Sequence, residues 1–426
     1  MRYPDTYYSR TLADQRQRPA LSGSIDCDTV VIGGGLAGLT TALQLARGGQ
    51  KVVVLETEAV GFGASGRNGG FVSAGFATGV EQIAGIAGRE AADKLYMMSI
   101  EGVEFVRDTI ARLAISSADP VDGVTSVMRY DDGAGLQSHA AEARQKYGQR
   151  LEYLDTDKVR ERLKSSRYFH GLRDRQAFHI HPLNYLRAIA DEIERLGGLI
   201  FEGSRASSTD LAPYRKRVST STGTVTSRAV VFATGGYTGP LNPRLKRAML
   251  PIATYVMVSE VAPDLIASAI TTRDGIGDNR RAGDYYRLVD GGRRLLWGGR
   301  ITTRAASTAG LVHELRREMT NTYPQLSNLK TELAWSGLMA YARHLMPQIG
   351  EMQPGVWHCT AFGGHGLNTT AIGGKVVAEA ILGKSDRHRL FAPFGLDWAG
   401  GTAGLAVAQL TYWKLQAQDW WRERAA

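Results

Sequence analysis

Apolar and polar positions fall into blocks along this chain, and the block over 29–56 organises the rest. Val30, Val31 and Ile32 form a β-branched run, as a strand buried on both faces requires. Leu36, Leu39, Ala42, Leu43 and Ala46 then recur at helical spacing, and Gly48 and Gly49 stop the helix. Residues 51–55 make a second β-branched strand that ends at Glu56.

The pattern continues downstream. A stripe of Leu95, Met98, Val103, Val106, Ile110 and Leu113 predicts a helix over 88–115. A strand is expected at 125–130, helices at 133–147 and 156–163, a helix at 183–196 stopped by Gly197 and Gly198, and a strand at 199–202. Residues 217–222 and 224–233 predict a hairpin turning at Gly223, whose second strand runs into Thr234, Gly235 and Gly236. Stretches 252–260, 284–288, 294–298 and 331–337 read as strands of an antiparallel region, with turns at Asp274-Gly275 and Asp290-Gly291-Gly292 and a helix near 310–320. The last unit is a strand at 356–361, a glycine turn at 363–366 and a helix at 369–382 with small residues on one face. Residues 402–421 predict an amphipathic helix, with packing on the protein favoured over attachment to a membrane surface. Residues 1–26 read as an irregular lead-in anchored by Tyr3, Tyr7, Tyr8 and Leu12.

The turns between these elements carry the candidate chemistry. Gly33, Gly35 and Gly38 give G-x-G-x-x-G between strand and helix. Gly33 permits the tight turn, Gly35 lets the backbone approach a pyrophosphate, and Gly38 lets helix and strand pack closely. The helix N-terminus offers N–H groups and a positive dipole end to phosphates. Glu56 stands where an acid accepts from ribose hydroxyls, and the absence of an Arg beside it disfavours NADP. A glycine motif alone is weak in a chain with 50 glycines; the strand, helix, second strand and acid in their places make it a dinucleotide site rather than a bare α/β core. Over 60–74, seven residues are Gly or Ser, and Arg67 is the one charge. A loop here follows the carboxyl end of a parallel strand, where ligands bind in such sheets.

Length and charge narrow the class. The 426 residues suggest two domains. The net charge is +9, yet the basic residues are scattered and only 11 of the 51 are lysine, so nucleic-acid binding is not expected. Cys27 and Cys359 give neither a disulfide framework nor metal-ligand spacing. No apolar run is long enough to span a membrane, and the N-terminus lacks a signal-peptide core, so a cytoplasmic protein is expected.

Together these segments resemble the D-amino-acid oxidase (DAO) superfamily of FAD-dependent oxidoreductases, and more narrowly its γ-glutamylputrescine oxidase branch. The resemblance rests on the glycine turn with Glu56, on GFGASGRNGG at 61–70, HIHPLNYLRAIADEIERLGG at 179–198, VVFATGGY at 230–237, YYRLVDGGRRLLWGG at 285–299 and FGGHG at 362–366. It implies an α/β fold with a Rossmann-like, glutathione-reductase-type FAD domain built on a parallel sheet (1–85, 175–245 and 345–426). An α+β substrate domain with a large antiparallel sheet would take 86–174 and 246–344. It implies that Gly33, Gly35 and Gly38 hold the pyrophosphate, Glu56 the ribose and the Ala206 backbone the adenine. Ser65, Gly66, Arg67, Asn68, Gly69 and Gly70, with Thr234 and Gly235, and Gly363, Gly364, His365, Gly366, Leu367 and Asn368, would hold the rest of the cofactor.

Two departures from the family pattern matter. Some relatives attach FAD through a His just after the glycine-rich loop or a Cys late in the substrate domain; residues 65–67 hold no His and 335–350 no Cys, and Cys359 reads as a small buried hydrophobe, so noncovalent FAD is expected. In glycine-oxidase-like relatives an Arg eight residues before a P-x-I-G element clamps the substrate carboxylate. Here the element is 347–350 and the position is Met339, which cannot hold a carboxylate. The expectation is therefore an oxidase of an aliphatic amine resembling γ-glutamylputrescine. The resemblance implies hydride transfer from the C–N carbon to flavin N5, reoxidation by O2 to H2O2, and hydrolysis of the imine to aldehyde and ammonia. Candidates for the substrate face of the flavin are Tyr255, Tyr285, Tyr286, Arg67, Arg343 and His344. The alternatives are an amino- or imino-acid oxidase or dehydrogenase (sarcosine-, glycine- or pipecolate-like) and an FAD-bound module without turnover.

Overall fold

In the computed structural model the described residues are 3–280, 283–303 and 308–425, and two sheets carry them. The first sheet runs Gln348–Gln353, Val356–Thr360, Gly223–Phe232, Gly23–Ile32, Val52–Leu55 and Leu199–Phe201. The five strands from Val356–Thr360 to Leu199–Phe201 are mutually parallel. Val31, Val54 and Val231 face one side, where the helices Leu36–Arg47, Pro182–Arg195 and Leu367–Ile381 pack in a large core. Val30, Ile32, Val53, Val230 and Phe232 face the other side and a second core. Burial on both faces is why these strands read as unbroken β-branched runs. The predicted hairpin forms between Lys216–Ser219 and Gly223–Phe232.

The second sheet has nine strands. Its order is Thr331–Tyr341, Leu250–Ser259, Arg294–Thr302, Tyr285–Val289, Gly275–Asp278, Val121–Val127, Gly171–His179 and Phe71–Val72, with Leu151–Leu154 paired to Gly171–His179. All its pairings are antiparallel except that of Gly275–Asp278 with Val121–Val127.

The expected turn at Asp274-Gly275 is not there. Asp274 is buried and bonded to Arg173, Arg162 and Thr125, and Gly275 opens a strand. An Asp-Gly pair signals a turn only when its carboxylate is free to bond its own backbone; here two guanidiniums hold it. Gly171–His179 was missed because its middle is polar (Arg173, Asp174, Arg175, Gln176). The helix Gly401–Ala425 forms, but the polarity expected of it is inverted: Gln409 and Asp419 are buried, whereas Val407, Leu410, Trp413, Trp420 and Trp421 are exposed.

The two sheets meet where the site lies. An isolated bridge joins Tyr341, at the end of the second sheet's edge strand, to Phe362, which opens the glycine turn after Val356–Thr360. Gly363 N–H donates to the Ala340 carbonyl at 2.9 Å. The lead-in is less irregular than expected: Tyr7–Arg10 is a capped helical turn, and Tyr8 is fully buried.

Candidate active site

A cleft of about 920 Å3 runs across the carboxyl ends of the parallel strands and up to the second sheet. Ile32, Leu55, Ala233 and Thr360 mark those strand ends in its wall. This is where a ligand binds in a sheet of this kind, and the size suits a large cofactor with a small substrate.

Two helices begin at the cleft. Leu36–Arg47 starts after Gly35 and Leu367–Ile381 after Gly366; glycine at each N-cap offers no side-chain cap, and Leu36 N–H donates to Ser65 Oγ at 3.0 Å. Helix N-termini lining a cavity favour an anion. The close approach has a reason in sequence. Gly33 has φ +114°, and a Cβ there would lie 2.6 Å from the Ala233 carbonyl oxygen. Glu56 sits at the next strand end, where its Oε2 accepts from Gly34 N–H at 2.7 Å and its Oε1 from Glu58 N–H at 2.9 Å. Burial pushes its carboxyl up, opposed by these backbone donors.

The glycine-rich loop is held by its carbonyls. Trp335 Nε1 donates to Arg67 O (2.8 Å), Tyr8 Oη to Asn68 O (2.8 Å), Arg287 Nε to Gly69 O (2.7 Å), and Ile180 N–H to Gly70 O (2.8 Å). Four consecutive carbonyls are thus tied to the protein body, which fixes the course of the loop along the cleft. Arg287 is the centre of this arrangement. It is buried, also donates to Ile180 O and Tyr8 Oη, and lies 3.0 Å from His179 Nδ1. Burial and the adjacent Arg287 push His179 down to about 3, so it is neutral and can accept from the guanidinium. The ties from Tyr8, Arg287 and Trp335 to this loop were not foreseen; each comes from a segment remote from the loop in sequence.

The cleft wall includes Gly33, Gly35, Glu56, Ser65, Arg67, Asn68, Gly69, Gly70, Thr234, Gly235, Gly363, Gly364, His365, Gly366, Leu367 and Tyr285. Other expected residues lie behind it. Gly38 and Gly66 are buried against the Gly33 and Gly61 carbonyls, Ala206 is buried in the adjoining core beside the cleft-lining Arg205, and Asn368 Nδ2 donates to Ser99 O. His365 lies 2.9 Å from the Ser73 carbonyl through Nε2, and burial pushes its pKa down.

Four of the residues expected at the substrate face are displaced from it. Tyr286 is fully buried, stacked on Trp297 at 4.3 Å and bonded to Tyr168 and Tyr323. Tyr255 joins the same core, while its neighbour Thr254 lines the cleft. Strand alternation explains both: Tyr285 and Thr254 face the cleft, so Tyr286 and Tyr255 face away. Arg343 is exposed outside the cleft, and His344 packs on Phe394, accepting from Met346 N–H at 3.2 Å. In their place the cleft gains Thr254, Leu338, Met339 and Tyr341. Burial pushes the Tyr341 phenol up to about 12 and the Tyr285 phenol also upward, so both stay protonated at neutral pH. Arg67 lies against the Phe62 ring, donates to the Ser336 carbonyl and to Tyr237 Oη, and has no acidic partner among the described residues.

A parallel sheet with two helix N-termini at the cleft, an acid at the second strand end and an antiparallel sheet roofing the cleft define a two-sheet flavoprotein oxidoreductase. The chain belongs to the DAO family of FAD-dependent oxidoreductases, whose family model matches residues 28–380. It is 33% identical over 393 residues to the γ-glutamylputrescine oxidoreductase of Escherichia coli K12, covering 92% of each chain. It is 32% identical to a probable oxidoreductase, OrdL, of Haemophilus influenzae over 91% of this chain and 90% of that one. In fold it is similar to a glycine oxidase from Geobacillus kaustophilus (TM-score 0.72, 20% identity, 88% of this chain and 99% of that one). The cofactor is FAD, bound noncovalently, and the enzyme acts on CH–NH donors. The glycine cradle, the two helix N-termini and Glu56 fit that cofactor. Cys359 lines the cleft with its thiol pushed up by burial, and Cys27 lies outside the cleft.

Proposed function

We propose that the enzyme oxidises a primary aliphatic amine of the γ-glutamylputrescine type, with O2 as electron acceptor, and releases aldehyde, ammonia and H2O2. The observation that carries this reading is Met339. The position expected to clamp an α-carboxylate holds a thioether in the cleft wall, beside Gly364 and Tyr341. A thioether packs against methylenes and cannot neutralise a carboxylate.

Bound FAD supplies hydride acceptance and oxygen chemistry. Under this reading the glycine cradle holds its phosphates, Glu56 its ribose, and the residues at 65–70 and 363–367 its ring and ribityl chain. Tyr285, Tyr341, Leu338 and Met339 enclose the aliphatic part of the substrate and exclude water. The phenols stay protonated and orient the amine by hydrogen bonds. The first sheet with its helices is the cofactor domain and the second sheet the substrate domain; the division expected at 1–85, 175–245 and 345–426 against 86–174 and 246–344 shifts locally, because Phe71–Val72 and the whole of Gly171–His179 pair in the second sheet and Arg89–Arg112 packs in the core of the first. Peroxide and aldehyde assays with γ-glutamylputrescine, putrescine, glycine, sarcosine and proline test the reading. Turnover confined to the amines supports it; turnover confined to amino acids overturns it.

One observation favours a second reading. Arg67 lines the cleft without an acidic partner among the described residues and could take a substrate carboxylate. An amino- or imino-acid oxidase or dehydrogenase would use it so, and in that case Arg67→Lys would raise KM for amino acids.

A further inference from the structure

The C-terminal helix Gly401–Ala425 lies beyond the region matched by the family model and is built the wrong way round for a helix that packs on a protein. Its inner side carries polar groups, Gln409, Asp419 and Glu423, beside the half-buried Leu405, Tyr412 and Leu415. Gln409 Oε1 accepts from Thr303 N–H at 3.1 Å and from its hydroxyl at 3.2 Å. Asp419 is buried, and Glu423 lies within ion-pair distance of Arg129 (3.7 Å) and Arg280 (3.8 Å). Its outer side is apolar: Val407 is 62% exposed, Leu410 61%, Trp413 45%, Trp420 51% and Trp421 71%. At 3.6 residues per turn these five side chains, with Lys414 and Arg424, fall within an arc of about 140°.

We propose that this face docks on an anionic phospholipid surface. Charge selects that occupant. The only acids of the helix, Asp419 and Glu423, point inward, whereas Lys414, Arg422 and Arg424 are exposed. The Arg424 guanidinium lies 3.8 Å from the centre of the Trp420 ring, so indole and cation are presented together. Tryptophan prefers the boundary between headgroups and acyl chains, and basic side chains reach from there to lipid phosphates. Trp398, just before the helix, is 61% exposed. The chain's net charge of +9 adds long-range attraction to a negative surface. No helix among the described residues is long and apolar enough to cross a membrane, so this one lies in the interface plane. Pairing two copies helix to helix would set Lys414 and Arg424 of each against a helix whose two acids, Asp419 and Glu423, are turned inward.

The test uses the full-length holoenzyme and sedimented vesicles of phosphatidylcholine alone or mixed with phosphatidylglycerol. The enzyme is expected to sediment with the anionic vesicles and stay in solution with the neutral ones. The triple variant Trp413→Ser, Trp420→Ser, Trp421→Ser and the double variant Lys414→Glu, Arg424→Glu should each bind at least tenfold more weakly, with the flavin spectrum and turnover unchanged. Wild-type enzyme left in solution with both vesicles, or variants that bind like wild type, would overturn the proposal. Equal binding to both vesicle types would overturn the anionic assignment. If the wild type ignores vesicles and the Trp variant turns a dimer into a monomer in sedimentation velocity, the face joins two copies and the lipid proposal falls.

Discussion

Arg287 ties the cofactor loop to the protein body directly, through the Gly69 carbonyl, and indirectly, through Tyr8, which donates to the Asn68 carbonyl. Replacing it with alanine strips partners from the Gly69 and Ile180 carbonyls, the Tyr8 hydroxyl and His179 Nδ1. Leaving such buried groups unpaired costs about 3 kcal/mol. Arg287→Ala should lower the melting temperature and weaken FAD binding at least tenfold, measured by release of fluorescent flavin on dilution. Unchanged affinity would show that the carbonyl ties do not position the loop. Gly35→Asp and Gly364→Asp test the cradle itself. A Cβ at Gly364 would lie 2.7 Å from Tyr341 Oη, and an acid at either site repels phosphate or crowds the ring. Both purified variants should be colourless; full flavin absorbance in both would contradict the cofactor placement.

His181 gives a pH prediction at the same scale. Its Nδ1 accepts from Asn184 N–H at the start of Pro182–Arg195, which requires a neutral ring, and burial and Arg287 push it down to about 3. The unfolded chain takes up a proton below about pH 6.5 and the folded chain does not, so stability falls as pH drops from about 6.5 towards 3. His181→Asn keeps a capping acceptor without the titration. Wild type should lose about 2 kcal/mol more than the variant between pH 7 and pH 5 by denaturant unfolding. Parallel losses would mean that His181 titrates normally in the fold. At residue scale the cradle was legible, because Gly33, Gly35, Gly38 and Glu56 share one local unit. The substrate face was not. Tyr286 and Tyr255 have the right chemistry, but which of two neighbours on a strand faces the cleft depends on register, and register comes from pairing with distant strands.

Between elements, contact through small residues sets the geometry. A Cβ at Gly374 would lie 2.6 Å from the Ala37 carbonyl, and one at Gly102 would lie 2.5 Å from the Asn368 carbonyl. These contacts hold the helices Leu36–Arg47, Arg89–Arg112 and Leu367–Ile381 together, and so fix both N-termini that line the cleft. Gly374→Ala gives a sign test. In an open helix it stabilises by about 1 kcal/mol. Here the lost space should outweigh that gain and destabilise by ~1–3 kcal/mol, read from chemical denaturation. A more stable variant would contradict the close contact. The small-residue face of this helix was visible in sequence, but its partner was not. The C-terminal helix fails differently: its apolar and polar residues share only a weak helical period, and the structure is needed to show that Gln409, Asp419 and Glu423 meet the protein.

For the whole molecule, two sheets with separate cores enclose one cleft, and the chain crosses between them several times. The parallel sheet was readable because each strand, turn and helix is local and buried on both faces. The roof of the cleft was only partly readable, since Thr254, Leu338 and Tyr341 reach it through long-range pairing. Met339 links this scale to chemistry: the resemblance drew attention to it, and the fold puts it in the cleft wall. Anaerobic mixing of the oxidised enzyme with γ-glutamylputrescine, and separately with glycine, sarcosine and proline, follows the flavin absorbance directly. Rapid bleaching by the amine, with the amino acids at least a hundredfold slower, is the expected result. Rapid bleaching by an amino acid, with the amine inert, would contradict the account and move the carboxylate clamp to another residue, Arg67 first.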